Sequence, residues 1–142
     1  MLDFDIPTSP EIISPTIFIV DDDVRTLRLA SHILTKSRFR VHCVSSAEAA
    51  LRWLESSTPD IILMDINLPG RDGFGILEDI KNNDNLKNTK VVAFTSLARS
   101  GDKGRFIKAG FDFYFAKPFS KDSILSFIND VSLKVSLNYQ IE

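Results

Sequence analysis

Acidic, hydroxyl and amine side chains recur in this sequence at the ends of short apolar runs. "FIVDDDV" places Asp21, Asp22 and Asp23 directly after one such run, "DIILMD" ends in Asp65, "KVVAFTS" in Thr95 and Ser96, and "DFYFAKP" carries Lys117 before Pro118. Carboxylates gathered in one crevice repel and raise one another's pKa unless a cation compensates them. Magnesium suits an oxygen-only set, because it takes one or two carboxylates, keeps several waters and accepts phosphate oxygens. Asp21, Asp22 and Asp65 are therefore read as a Mg²⁺ site. A hydroxyl and a lysine beside such an ion point to phosphoryl chemistry, which rests on positioning and on neutralising charge at the equatorial oxygens. Asp65 is the natural acceptor, since a carboxylate can carry a phosphoryl group as an aspartyl phosphate. Mg²⁺ would hold one phosphoryl oxygen, Lys117 a second, and the Thr95 hydroxyl or nearby amides a third. Asp23 fits a different task, capping the helix that follows.

These residues meet only if the elements carrying them converge. "TIFIV" (16–20), "DIILMD" (60–65) and "KVVAFTS" (90–96) are continuous apolar runs, the pattern of strands covered on both faces. "RVHCV" (40–44) and "DFYFAKP" (112–118) read as two further strands, the last stopped by Pro118. Between them the period changes. Val24, Leu27, Ala30 and Leu34 form the stripe of a first helix, and Ser45 or Ser46 can cap a second through about Glu55. A third helix carries Leu77 and Ile80, a short one lies near 101–109 with Gly110 at its C-cap, and a last one aligns Ile124, Ile128, Val131 and Val135. Alternating strands and helices imply an α/β, doubly wound parallel sheet of five strands with helices on both faces. In such sheets the functional crevice lies at the carboxyl ends of the strands, where these residues fall.

Composition bounds the rest. The chain has 142 residues, 44% hydrophobic and 25% charged, enough for one ordinary globular domain. A net charge of −2 offers no basic field for nucleic acid or anionic lipid, so neither is expected as a direct partner. The single cysteine, Cys43, fits a reducing compartment, and no apolar run approaches the ~20 residues of a membrane span; a cytoplasmic location is expected. Residues 1–15, with Pro7, Pro10 and Pro15, read as an extended tail, 16–134 as the domain and 135–142 as a short C-terminal tail. Taken as a whole protein, the chain would have no room for an output domain after about 135 and would pass its output on by protein contact or by relay to another histidine.

The segments "IFIVDDD", "DIILMDINLPGRDG", "VVAFTS" and "AGFDFYFAKPF" together resemble the receiver domain of two-component response regulators, over roughly 16–134. "SLARSGDKGRFIKAGFD" is similar to receivers of hybrid histidine kinases and small single-domain regulators. The resemblance implies a flavodoxin-like strand order of 2-1-3-4-5. It implies Asp65 as phosphoacceptor, Asp22 as direct Mg²⁺ ligand, Asp21 as a ligand through water, and the backbone carbonyl of Asn67 as a further ligand. Thr95 becomes the switch hydroxyl, Tyr114 the switch aromatic, and Lys117 the phosphate-binding lysine, with a cis bond to Pro118. The implied partners are a sensor histidine kinase or histidine phosphotransfer protein and a downstream protein target. The implied role is a regulatory phosphoacceptor rather than an enzyme, with at most slow phosphorylation from small donors and slow self-hydrolysis. Arg71, in a turn position commonly apolar, and Ser96, where alanine is common, are the departures.

Three other readings compete. A haloacid-dehalogenase-type phosphatase also begins with a strand and Asp-x-Asp, but Arg25 stands where it needs Thr or Val. A flavin module needs a hydroxyl- and amide-rich phosphate loop where this chain has three carboxylates, and no G-x-G-x-x-G supports a dinucleotide fold. An unphosphorylated pseudo-receiver acting as a scaffold is the third. His32 and Trp53 are read as a helix-face histidine and as packing of the second helix.

Overall fold

The computed structural model describes residues 14–96 and 102–141. The expected N-terminal tail lies outside them except for Ser14 and Pro15, as do the 97–101 portion of the fourth strand–helix connection and residue 142.

Elements alternate along the chain: β1 (Thr16–Val20), α1 (Val24–Lys36), β2 (Arg40–Val44), α2 (Ala47–Leu54), β3 (Ile61–Asp65), α3 (Gly73–Lys81), β4 (Lys90–Thr95), α4 (Asp102–Ala109), β5 (Phe113–Ala116) and α5 (Lys121–Ile141). The strands form one sheet in the order β2-β1-β3-β4-β5, and every pairing is parallel. β1 lies between β2 and β3, with Ile17 opposite both Val41 and Ile61. The continuous apolar runs are the interior strands: every residue of β3 is buried, whereas edge strand β2 is only partly covered. The sheet therefore has the order that the family resemblance implied.

Alternation along each strand divides the core in two. Ile17, Ile19, Leu63, Val92 and Phe94 face α1 and α5, where Leu27, Ala30, Ile128 and Val131 meet them. Phe18, Ile62, Met64 and Ala93 face α2, α3 and α4, against Ala50, Ile76, Leu77 and Phe106. Thirteen-residue α1 begins at the Asp23 cap, whose side chain accepts from the Arg25 amide. Ser46, not Ser45, caps α2, accepting from the Ala49 amide at 3.2 Å.

Three details differ from the sequence reading. Val24 is 51% exposed, and the buried stripe of α1 is Leu27, Ala30, Ile33 and Leu34. Each three-residue step falls about 60° short of a full turn, which carries Val24 off that face. The polar run after α3 contains a single 3-10 turn, Asp84–Leu86, whose Leu86 is buried. α5 continues to Ile141, so the segment expected as a tail from 135 is helical backbone. Trp53 packs as anticipated: it is partly buried against the core, and its ring lies 4.3 Å from Phe18 and 4.5 Å from His42. His32 is exposed on α1. Burial pushes the Cys43 thiol above its usual range, partly offset by a hydrogen bond with the Ser31 side chain.

Candidate functional site at the carboxyl edge of the sheet

β1 and β3 are adjacent and parallel, so their ends bring Asp21 and Asp65 to one place. Asp21 is fully buried; its amide donates to the Val44 carbonyl at 3.2 Å, and its Oδ1 accepts from the Asp23 amide at 2.9 Å. Asp65 is 6% exposed, and its Oδ1 accepts from the Asn67 amide at 3.0 Å. Asp22, next in the chain, is exposed. One carboxylate oxygen from each of Asp21, Asp22 and Asp65 lies within 4.8 Å of the others.

Lys117 comes from the far side of the sheet. Its amide donates to the Thr95 carbonyl at 2.8 Å, which fastens the end of β5 to β4. Its ammonium donates to Asp21 Oδ2 at 2.6 Å and stands 3.7 Å from Asp65 Oδ2, with the Phe94 ring centroid 4.9 Å away. The bond to Pro118 is cis, as expected. Thr95 is fully buried at the end of β4. A hollow of about 510 Å³ adjoins the crevice, with Leu29, Ser96, Lys117 and Phe119 in its wall.

The loop after β3 is held close. Pro69 and Gly70, at φ +79, make a turn closed by the Arg71 amide on the Leu68 carbonyl at 3.4 Å. Gly73 donates to the Ile66 carbonyl at 2.8 Å, and a Cβ there would sit 3.0 Å from the Asp65 carbonyl oxygen and Ile66 Cα. Asp72 caps α3 by accepting from the Gly75 amide at 2.9 Å. Arg71 does not face the crevice: it pairs with Asp79 and donates to the Gly75 carbonyl.

Burial raises the Asp65 pKa from 3.8 to about 6. The Asn67 amide and the Lys117 charge oppose that rise, while neighbouring Asp21 adds to it. Asp23 moves the other way, held below the usual carboxylate range chiefly by the Arg25 amide it caps. The donor set fits magnesium: it is all oxygen, and exposed Asp22 leaves one side open to the waters this ion retains.

Asp21, Asp22, Asp65 and Lys117 are thus brought together, Asn67 adjoins them through its amide, and Thr95 is tied in through its carbonyl. Tyr114 is half-buried, with its ring stacked on Phe106 at 5.6 Å. Sequence reasoning passed over Gly73, whose lack of a side chain lets α3 approach the Asp65 carbonyl, and Phe94, which lines the ammonium. The D-G pair opening α3 was the available signal for Gly73; nothing local marked Phe94.

Known proteins share both the sequence pattern and the fold. The sequence model of the response regulator receiver domain matches residues 17–129, and the chain belongs to that family. It is 34% identical over 125 residues to the heme response regulator HssR of Staphylococcus aureus strain JH9, covering 87% of this chain and 54% of HssR. The chain therefore spans about half the length of those heme response regulators. Over 119 residues it is 29% identical to the polar-differentiation response regulator DivK of Brucella anthropi, covering 81% of this chain and 97% of DivK. Among solved structures, a CheY-like receiver domain protein from Methanospirillum hungatei superposes with a TM-score of 0.79 at 26% identity, over 88% of this chain and 98% of its own. The receiver domain of the sensor histidine kinase PA1611 from Pseudomonas aeruginosa, solved with magnesium coordinated in its active-site cleft, gives 0.75 at 28% identity, over 84% and 98%. Receiver domains are regulatory modules of two-component signalling, not turnover enzymes. Among the described residues no helix is long and apolar enough to cross a membrane.

Proposed function

We propose that the domain is a phosphorylation-dependent switch in which Asp65 accepts a phosphoryl group from a partner phosphohistidine or a small phosphodonor. The carrying observation is the Lys117 ammonium, 2.6 Å from Asp21 and 3.7 Å from Asp65, in a crevice where three carboxylates converge. Above about pH 6 the Asp65 side chain is the carboxylate that attack on phosphorus requires. Its oxygen forms the new bond to phosphorus, and the donor leaves with the electrons of the bond that breaks. Lys117 turns from Asp65 toward a phosphoryl oxygen while remaining paired with Asp21.

Asp22 and Asp65 would hold Mg²⁺ directly, Asp21 through water, and Asn67 through its backbone carbonyl. The ion supplies neutralisation of phosphoryl charge. Thr95 donates its hydroxyl to the phosphoryl group and Tyr114 turns inward behind it. That shifts a pre-existing equilibrium on the α4–β5–α5 side. The partners are a sensor histidine kinase or histidine phosphotransfer protein, a donor approaching over the hollow beside Leu29 and Ser96, and a downstream protein bound by contact, all in the cytoplasm. Hydrolysis of the aspartyl phosphate by water returns the switch slowly.

Intact-mass spectrometry after incubation with acetyl phosphate tests this reading. One phosphoryl gain that needs Mg²⁺ and is lost in Asp65→Asn is expected. Full labelling of the mutant would reassign the acceptor, and no labelling under any condition would leave a scaffold that binds without being phosphorylated.

A further inference from the structure

The face of the sheet covered by α2, α3 and α4 carries an aromatic stack that the acidic crevice does not use. Tyr114 stacks on Phe106 with centroids 5.6 Å apart and 18° between planes. Phe106 stacks in turn on Phe74 at 5.9 Å and 29°, and Phe111 meets both rings edge-on. The Arg105 guanidinium lies 5.5 Å above Phe74 and 5.3 Å above Phe106, a cation over two ring faces. Phe106 is fully buried, whereas Tyr114 is half-buried and Arg105 exposed. Phe74 directly follows Gly73, the residue pressed against the Asp65 carbonyl. The stack therefore runs from β5 through α4 to the first turn of α3, just past the acidic loop.

Tyr114 and Thr95 lie close in the register of the sheet. In the register of β4 and β5, Ala93 lies opposite Tyr114 and Ala116 lies opposite Thr95. Alternation puts all four side chains on the same face of the sheet. The register neighbours along the way from Tyr114 to Thr95 are thus two alanines, whose side chains are a single methyl each.

We propose that Phe106, braced by Phe74 and Arg105, is the positioning residue for Tyr114. Its stack holds the tyrosine ring against α4 and so sets how much of the switched arrangement is populated before phosphorylation. This rests on the reading of Thr95 and Tyr114 as the switch pair. An aromatic pair contributes, beyond its burial, enough to move a two-state equilibrium by about two- to tenfold. Loss of the stack must then tighten, by linkage, the binding of anything that favours the switched arrangement.

The test is calorimetric titration with beryllofluoride in Mg²⁺, a stable mimic of the phosphoryl group, on wild type, Phe106→Leu, Tyr114→Ala and the double variant. Phe106→Leu should bind about two- to tenfold more tightly than wild type, and the gain should vanish when Tyr114 is already alanine. A merely structural role would lower the melting temperature and leave the affinity unchanged or weaker, and that result overturns the proposal. Equal tightening without the tyrosine ring overturns it as well. Should Phe106→Leu fail to fold, exposed Arg105→Ala decides: about twofold tightening supports the brace and no change refutes it. Wild type that ignores beryllofluoride altogether would instead remove the phosphoacceptor reading on which the proposal stands.

Discussion

Asp65→Asn should make the metal-free protein more stable, by an amount that depends on pH in a defined way. The wild-type carboxyl is 6% exposed and its pKa rises from 3.8 to about 6, mainly through burial. Folding thus favours the neutral form. The contribution of this group to stability is complete below the unfolded value near 4 and is lost as pH rises through about 6. Each pKa unit corresponds to about 1.4 kcal/mol, so the full cost above pH 7 is about 3 kcal/mol. Asparagine keeps the acceptor that the Asn67 amide uses at 3.0 Å and carries no charge to bury. Lys117 retains its closer partner, Asp21, at 2.6 Å. Urea denaturation in EDTA should show the mutant ahead by about 1 kcal/mol at pH 4.5 and about 3 kcal/mol at pH 7.5. In melting temperature the neutral-pH gain is roughly 10 °C for a domain of this size. Mg²⁺ should close the gap by stabilising wild type alone. A gain equal at both pH values, or no gain at pH 7.5, would refute the account of Asp65 as a charge strained by burial.

Two further perturbations probe the supports of the site. Lys117→Met keeps the unbranched stem of the side chain but removes the cation beside fully buried Asp21, and should cost roughly 3–5 kcal/mol in a urea titration. Adding Asp21→Asn should recover most of that loss; a single-variant cost under about 1 kcal/mol would mean the pair is not buried as described. Gly73→Ala drives a methyl to 3.0 Å from the Asp65 carbonyl and Ile66 Cα, and should cost about 1–3 kcal/mol and weaken Mg²⁺ binding. Gly104→Ala, with nothing within 4 Å of the added methyl, should instead stabilise α4 by up to about 1 kcal/mol, so equal effects at the two glycines would contradict the close approach at Gly73.

Much of the site was legible because its residues sit at the ends of apolar runs, and a run of that kind names both a strand and its terminus. "DIILMD" marked β3 and put Asp65 at its end; "VVAFTS" did the same for Thr95. Helix caps were equally local: Asp23 and Ser46 each satisfy an amide two or three residues on. Less could be read where the outcome depends on which face a residue turns to. Asp21 and Asp22 are neighbours of identical chemistry, yet one is fully buried against Lys117 and the other is exposed at the rim of the same cluster. Val24 matches the spacing of its helix stripe and still points outward. Tyr114 could be read as an aromatic of β5, but its partner Phe106 belongs to a helix whose register the strand pattern does not set.

By itself, then, the sequence determined the alternating elements, the parallel sheet they require, and the set of acids, hydroxyl and lysine gathered at its carboxyl edge. These follow from periodicity and from the placement of polar residues at run ends, both of which act over a few residues. Tertiary structure alone decided that Lys117 crosses 96 positions of sequence to pair with Asp21, and that Asp65 is desolvated enough to hold a proton near pH 6. It also decided that Tyr114 rests on Phe106. Desolvation, charge proximity and ring stacking depend on distances between segments, and those exist only once the two faces of the sheet are covered.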